Sequence, residues 1–67
     1  METLIIKKYG NRRLYDTERS VYVTLDDIAQ AVRQGREIQV LDATSKEDVT
    51  AYILTQVLLE ASRRKNV

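Results

Sequence analysis

Residues 3–15 read Thr3-Leu4-Ile5-Ile6-Lys7-Lys8-Tyr9-Gly10-Asn11-Arg12-Arg13-Leu14-Tyr15, and this stretch decides what the chain can build. Its first half is rich in β-branched and aromatic side chains, the types that suit a pleated strand. Gly10-Asn11 can supply the positive φ angles of a tight two-residue turn. The expected unit is a β-hairpin, with a strand over 3–9 and a return strand over 12–15. A two-residue turn sets Tyr9 opposite Arg12, Lys8 opposite Arg13, Lys7 opposite Leu14 and Ile6 opposite Tyr15. Lys7, Lys8, Arg12 and Arg13 then crowd around the tip. Like charges placed directly opposite, such as Lys8 and Arg13, destabilise a hairpin. The crowding makes sense if a phosphate backbone neutralises it. Arg can also bond phosphate or the O6/N7 edge of guanine in bidentate fashion, and Asn11 can bond an adenine edge. The same charges also fit a solvated strand face that discourages edge-to-edge association. Tyr15 is expected to pack the sheet, while Tyr9 is open between packing and stacking on a nucleotide.

Outward from the hairpin, the polar run Asp16 to Ser20 leads to a short strand, Val21 to Val23. Thr24 is placed as a helix N-cap, with Asp27 in the capping-box position and Asp26 beside it at the positive end of the helix dipole. Leu25, Ile28, Ala29 and Val32 recur at helical spacing. Gly35 is a ready residue for the left-handed C-terminal cap, and Arg33 complements the dipole there. Residues 37–41 alternate as another strand. Thr44 or Ser45 then caps a longer helix, with Glu47 and Asp48 in its first turn and its end near Arg64. Projected at 100° per residue, Val49, Ile53, Leu54, Val57, Leu58 and Ala61 fill one arc, which Tyr52 and Leu59 widen. A helix lying on one small sheet needs a stripe only somewhat wider than 100°. The surplus points to self-association, with Val49, Tyr52, Ile53, Leu54, Val57, Leu58 and Leu59 as the oligomer interface and a two-fold dimer as the simplest form. The fold class is α+β: a small antiparallel sheet built on a basic hairpin, plus two helices.

At 67 residues the chain is one domain, 1–67, able to bury only about 60% of its unfolded surface. Chains of this size usually lean on a disulfide, a metal or a partner subunit. There is no Cys and no His, which removes disulfides and zinc fingers and leaves oligomerisation. No stretch approaches the roughly 20 apolar residues of a membrane helix, so a cytoplasmic protein is expected. Net charge is only +1, but it is unevenly spread. Residues 7–19 hold five cations against two acids, residues 20–62 three cations against seven acids, and Arg63-Arg64-Lys65 close the chain. Such asymmetry suggests a polyanionic partner, although the basic tail is also explained by dipole complementarity at a helix end. With no His, no Cys, no glycine-rich phosphate loop and no calcium-loop spacing, neither an enzyme nor a bound metal or cofactor is expected.

The run Ile6-Lys7-Lys8-Tyr9-Gly10-Asn11-Arg12-Arg13-Leu14-Tyr15-Asp16-Thr17 resembles the opening of the polyhydroxyalkanoate accumulation regulator family, and Val23 to Ile28 and Val40 to Ala43 fall where that family has similar segments. The resemblance covers roughly residues 3–61. It implies a transcriptional repressor that binds double-stranded promoter DNA of polymer-granule (phasin) genes and of its own gene, released when polymer competes with DNA. It further implies Lys7, Lys8, Asn11, Arg12 and Arg13 as DNA contacts, with Tyr9 and Tyr15 as supports. Family members usually run on past this point, so polyhydroxyalkanoate binding is expected from sequence outside these residues. Two rival classes remain: an oligomerisation or protein-interaction module whose cations only solubilise it, and a granule-attachment domain.

Overall fold

A computed structural model describes residues 3–10 and 13–65, and the side chains among them as far as Arg63. Among these residues the chain forms β1 (Leu4–Tyr9), β2 (Arg13–Asp16), β3 (Val21–Val23), α1 (Leu25–Arg33), β4 (Ile38–Asp42) and α2 (Thr50–Lys65). The sheet order is β3-β2-β1-β4. β1 pairs antiparallel with β2 and β2 with β3, but β4 lies parallel to β1. The sheet is therefore mixed rather than purely antiparallel, because α1 returns the chain to the far side of β1.

Local chemistry sets each boundary. The buried Asp16 ends β2: one carboxylate oxygen accepts the Glu18 and Arg19 amides at 2.8 and 3.0 Å, and the other takes Arg19 Nε at 3.2 Å. The Ser20 amide closes the turn onto the Asp16 carbonyl, with Ser20 at φ 58°. Thr24 caps α1 in a complete capping box, its hydroxyl accepting the Asp27 amide while the Asp27 carboxylate accepts the Thr24 amide. At the other end Gly35, at φ 88°, donates to the Val32 carbonyl and Arg36 to that of Ala31. This 5→2 and 6→1 pair is the Schellman arrangement. Arg36 also forks onto the Glu18 carboxylate, both contacts at 3.1 Å, tying the exit of α1 to the β2–β3 turn.

The second helix starts later than the sequence suggests. Thr44 and Ser45 do not cap it; their amides are instead taken by the Asp42 carboxylate at 2.8 and 3.0 Å, and Lys46 adopts φ 66°. The segment folds back along β4, with the Asp42 amide bonded to the Glu47 carbonyl and the Val49 amide to the Val40 carbonyl. Only then does Asp48 accept the Thr50 amide, and α2 begins at Thr50. This fold-back covers the outer edge of β4, which would otherwise offer unpaired backbone groups to another chain.

Both helices lie on one face of the sheet. Leu4, Ile6, Leu14, Val23 and Val40 from the strands meet Ile28, Ala29, Ile53 and Val57 from the helices in one core. Val40, Ile6 and Ile28 are almost fully excluded from solvent. Val32, expected on the inner stripe of α1, remains 42% exposed. Ile53 and Val57 are spent inside the subunit, with Val49 and Leu54 packed partly buried against them. Burial takes Ile53 and Val57 off the surface open to a second copy, while Val49 and Leu54 stay partly exposed. Of the seven proposed, Tyr52, Leu58 and Leu59 face outward.

Candidate nucleic-acid interface

The pleat sorts the cations of the hairpin. Successive side chains of a strand point to opposite faces, and Leu4 and Ile6 point into the core, so Lys8 shares their side while Lys7 and Tyr9 take the other. Across β1 and β2 the register is Ile6 with Asp16, Lys7 with Tyr15, Lys8 with Leu14 and Tyr9 with Arg13. This is one residue away from a two-residue turn, and residues 10–12 lie between the strands. Lys8 therefore faces Leu14, not Arg13. The expected clash of like charges does not occur.

Lys8 is bound into the fold. Its side chain is 14% exposed, its ammonium donates to the Gly10 carbonyl at 2.6 Å and it lies 3.8 Å from Asp42 Oδ2. Asp42 is held below the ordinary carboxylate value, first by the Ser45 and Thr44 amides and then by Lys8. A cation committed to two internal acceptors buttresses the hairpin tip and is withdrawn from the surface assigned to it by sequence. Lys7 and Arg13 are the opposite case. Both are exposed, and among the described residues neither makes an ion pair. Asn11 and Arg12, the other two polar contacts expected, lie outside the described residues, as do the side chains of Arg64 and Lys65 in the basic tail.

The same parity collects aromatic rings. Leu41, Lys7, Tyr15 and Tyr22 form one cross-strand row over all four strands, with Tyr9 and Arg13 paired next to it. Tyr15 packs edge-to-face against Tyr9 with ring centroids 6.3 Å apart and against Tyr22 at 5.3 Å. Tyr15 is half-buried between its neighbours, while Tyr9 and Tyr22 are 40% and 60% exposed. Tyr15 thus packs the sheet, but on its open face rather than in the core. Tyr22 went unnoticed in the sequence; its signal was the alternation Val21-Tyr22-Val23, which puts the ring opposite Val23, a core residue. Beside β4, Lys7, Tyr9, Leu41, Asp42, Ala43 and Lys46 line a shallow groove, so a second lysine stands near Lys7.

The profile of the family described as the PHB/PHA accumulation regulator DNA-binding domain matches residues 5–65. The chain belongs to this family. It is a DNA-binding regulator domain. An uncharacterised protein of Allochromatium vinosum is 54% identical to it over 56 residues, 84% of this chain and 37% of the relative. A protein of Thiocystis violacea, described as lying in the phbA 5′ region, is 50% identical over 56 residues, 84% of this chain and 41% of the relative. The regulator domain thus spans about two fifths of the length of these curated relatives. No solved structure matches it significantly. Among the described residues no cluster of acids could hold a metal ion, and no helix is long and apolar enough to cross a membrane.

Proposed function

We propose that the regulator domain binds double-stranded promoter DNA with the tip of its β1–β2 hairpin and acts as a repressor of granule-associated (phasin) genes and of its own gene. The observation that carries this is the exposure of Lys7 and Arg13, without acid partners among the described residues, on the two strands that lead to the tip. A two-stranded ribbon fits the major groove. Asn11 and Arg12 come between these strands in the sequence, and residues of these types can bond a base edge and a phosphate. The regulator works in the cytoplasm as a homodimer or higher homo-oligomer, joined through Tyr52, Leu58 and Leu59 on the outer side of α2. Polymer sensing belongs to sequence beyond these residues, in keeping with the greater length of the relatives and with the phbA position of one of them.

Titrating labelled promoter fragments against salt tests the reading. Each neutralised phosphate contributes about −0.9 to the slope of log K against log salt, so Arg13→Ala should weaken binding and reduce the slope by about one such step without lowering the melting temperature. A folded domain that fails to bind promoter duplex at low salt overturns the proposal. Selection of bound fragments from random DNA, with wild type and an Arg12→Ala, Arg13→Ala double variant, then separates base readout from phosphate attraction.

A further inference from the structure

The open sheet face carries more than duplex binding needs. Four strands span three inter-strand spacings, about 14 Å between outer backbones, which exceeds the roughly 12 Å width of a B-form major groove. The hairpin tip can enter such a groove; the face as a whole cannot. Tyr22 sits on β3, the strand furthest from β4, and its ring is 60% exposed. Three tyrosine rings meet edge to face on three adjacent strands, and the exposure of the outer two, Tyr9 and Tyr22, is not explained by packing, since the core lies on the other side. They alternate with cations: Lys7 adjoins Tyr15, and Arg13 adjoins Tyr9.

We propose that this face is a second nucleic-acid site, which shares Lys7 and Arg13 with the hairpin site and adds the rings, so that unpaired bases stack against Tyr9 and Tyr22 while Lys7 and Arg13 hold the phosphates of the same strand. Single-stranded nucleic acid matches both halves of the surface. Every base offers a π-face to an aromatic ring, and the strand brings the negative charge that Lys7 and Arg13 lack among the described residues. Tyr15, half-buried, fixes the orientation of the two outer rings. The site goes beyond the proposed promoter binding, because a closed duplex presents base edges rather than base faces. It would let the domain grip a strand opened beside its operator, or a transcript.

The test compares three labelled probes by fluorescence anisotropy with the 67-residue chain: a thymidine 15-mer, a uridine 15-mer, and promoter duplex. Both single strands should bind, and Tyr22→Leu should weaken them roughly 5- to 150-fold, the loss of one base–aromatic stack. Tyr22→Phe, which keeps the ring, should bind as wild type, and duplex affinity should change by less than about twofold in either variant. A parallel measurement needs no substitution. The chain has four tyrosines and no tryptophan, so stacking should quench its intrinsic emission. Preference for one single strand over the other supports the site and identifies which backbone sugar it favours. The proposal is overturned if single strands fail to bind while duplex does, if they bind without quenching, or if Tyr22→Leu binds them as wild type does. Equal loss of single-strand and duplex binding also overturns it, since the face would then belong to the duplex site.

Discussion

The two faces of the sheet are made from alternate residues of the same strands, yet they do opposite work. Ile6, Lys7 and Lys8 are consecutive. Ile6 is sealed in the core, Lys7 is exposed on the open face, and Lys8 is turned back inward to Gly10 and Asp42. Two neighbouring lysines of the same chemistry differ only in strand parity, and parity decides which of them is bound into the fold and which is left exposed. A charge cluster in a sequence is therefore not yet a charge cluster on a surface.

The sharpest way to break this contrast is to move one residue along β1. Ile6→Ala should cost about 2–5 kcal/mol in urea unfolding, a large share of the stability of so small a domain. Lys7→Ala, next door, should stay within about 0.5 kcal/mol of wild type and lose DNA affinity instead. Equal effects at both positions would mean that the faces are not separated as described.

Asp16 gives the next largest effect, because it is charged and yet lies on the inner side. Asp16→Ala leaves the Glu18 and Arg19 amides without their acceptor, at about 2–3 kcal/mol, or roughly 10–20 °C in melting temperature for a domain of this size. Burial pushes the Asp16 carboxyl upward, but the amides of Arg19 and Glu18 and the Arg19 side chain outweigh it, and the group ends below its ordinary value of 3.8. A lowered folded pKa stabilises the fold at pH values above the unfolded pKa, and that contribution is lost as pH falls through the folded one. Thermal melts should therefore be flat from about pH 8 to 6, where no histidine titrates, and should decline below about pH 4. Asp42, Asp48 and Glu18 shift in the same direction and add to the decline. Asp16→Asn should flatten it; an unchanged acid profile in that variant would remove Asp16 from the account.

Lys8 sharpens the comparison further. Lys8→Ala should lower stability by about 1 kcal/mol, since it removes a largely buried stem and the hydrogen bond to Gly10, while the salt dependence of DNA binding stays near that of wild type. If instead Lys8→Ala reduces the salt slope as much as Lys7→Ala does, Lys8 reaches phosphate. The smallest expected change in stability is at Leu58, which is 69% exposed. Leu58→Asp should leave the melting of the dilute domain almost unchanged and abolish concentration-dependent association in analytical ultracentrifugation.

Signals confined to a few residues were legible in the sequence. The Thr24–Asp27 capping box and the Gly35 terminator both sit where the chain suggested, because each is settled by hydrogen bonds among near neighbours. What depended on distant partners was not legible. Nothing local to Ile38–Asp42 says that it will lie parallel to β1. Thr44-Ser45 followed by two acids resembles a helix start, but Asp42 claims those amides first and Lys46 takes a left-handed conformation that its side chain does not advertise. Gly10-Asn11 by itself signals a two-residue turn, but the strands pair one residue further on, and only that register lines up Lys7, Tyr15 and Tyr22. The inward turn of Lys8 could have been found, since it continues the Leu4, Ile6 alternation.

The central place of β1 has a consequence for how the domain comes into being on the ribosome. One edge of β1 is matched by β2 almost at once, but the other waits for residues 38–42. At about 5–20 residues per second, that leaves roughly one to five seconds in which a lone hairpin, too small to be stable alone, stands outside the polypeptide exit carrying the protein's most basic segment. In that interval the nascent chain has an unzipped flank and no hydrophobic interior to retreat into. A pause before residues 38–42 have emerged would lengthen the hazard; a pause after they have emerged and paired would not.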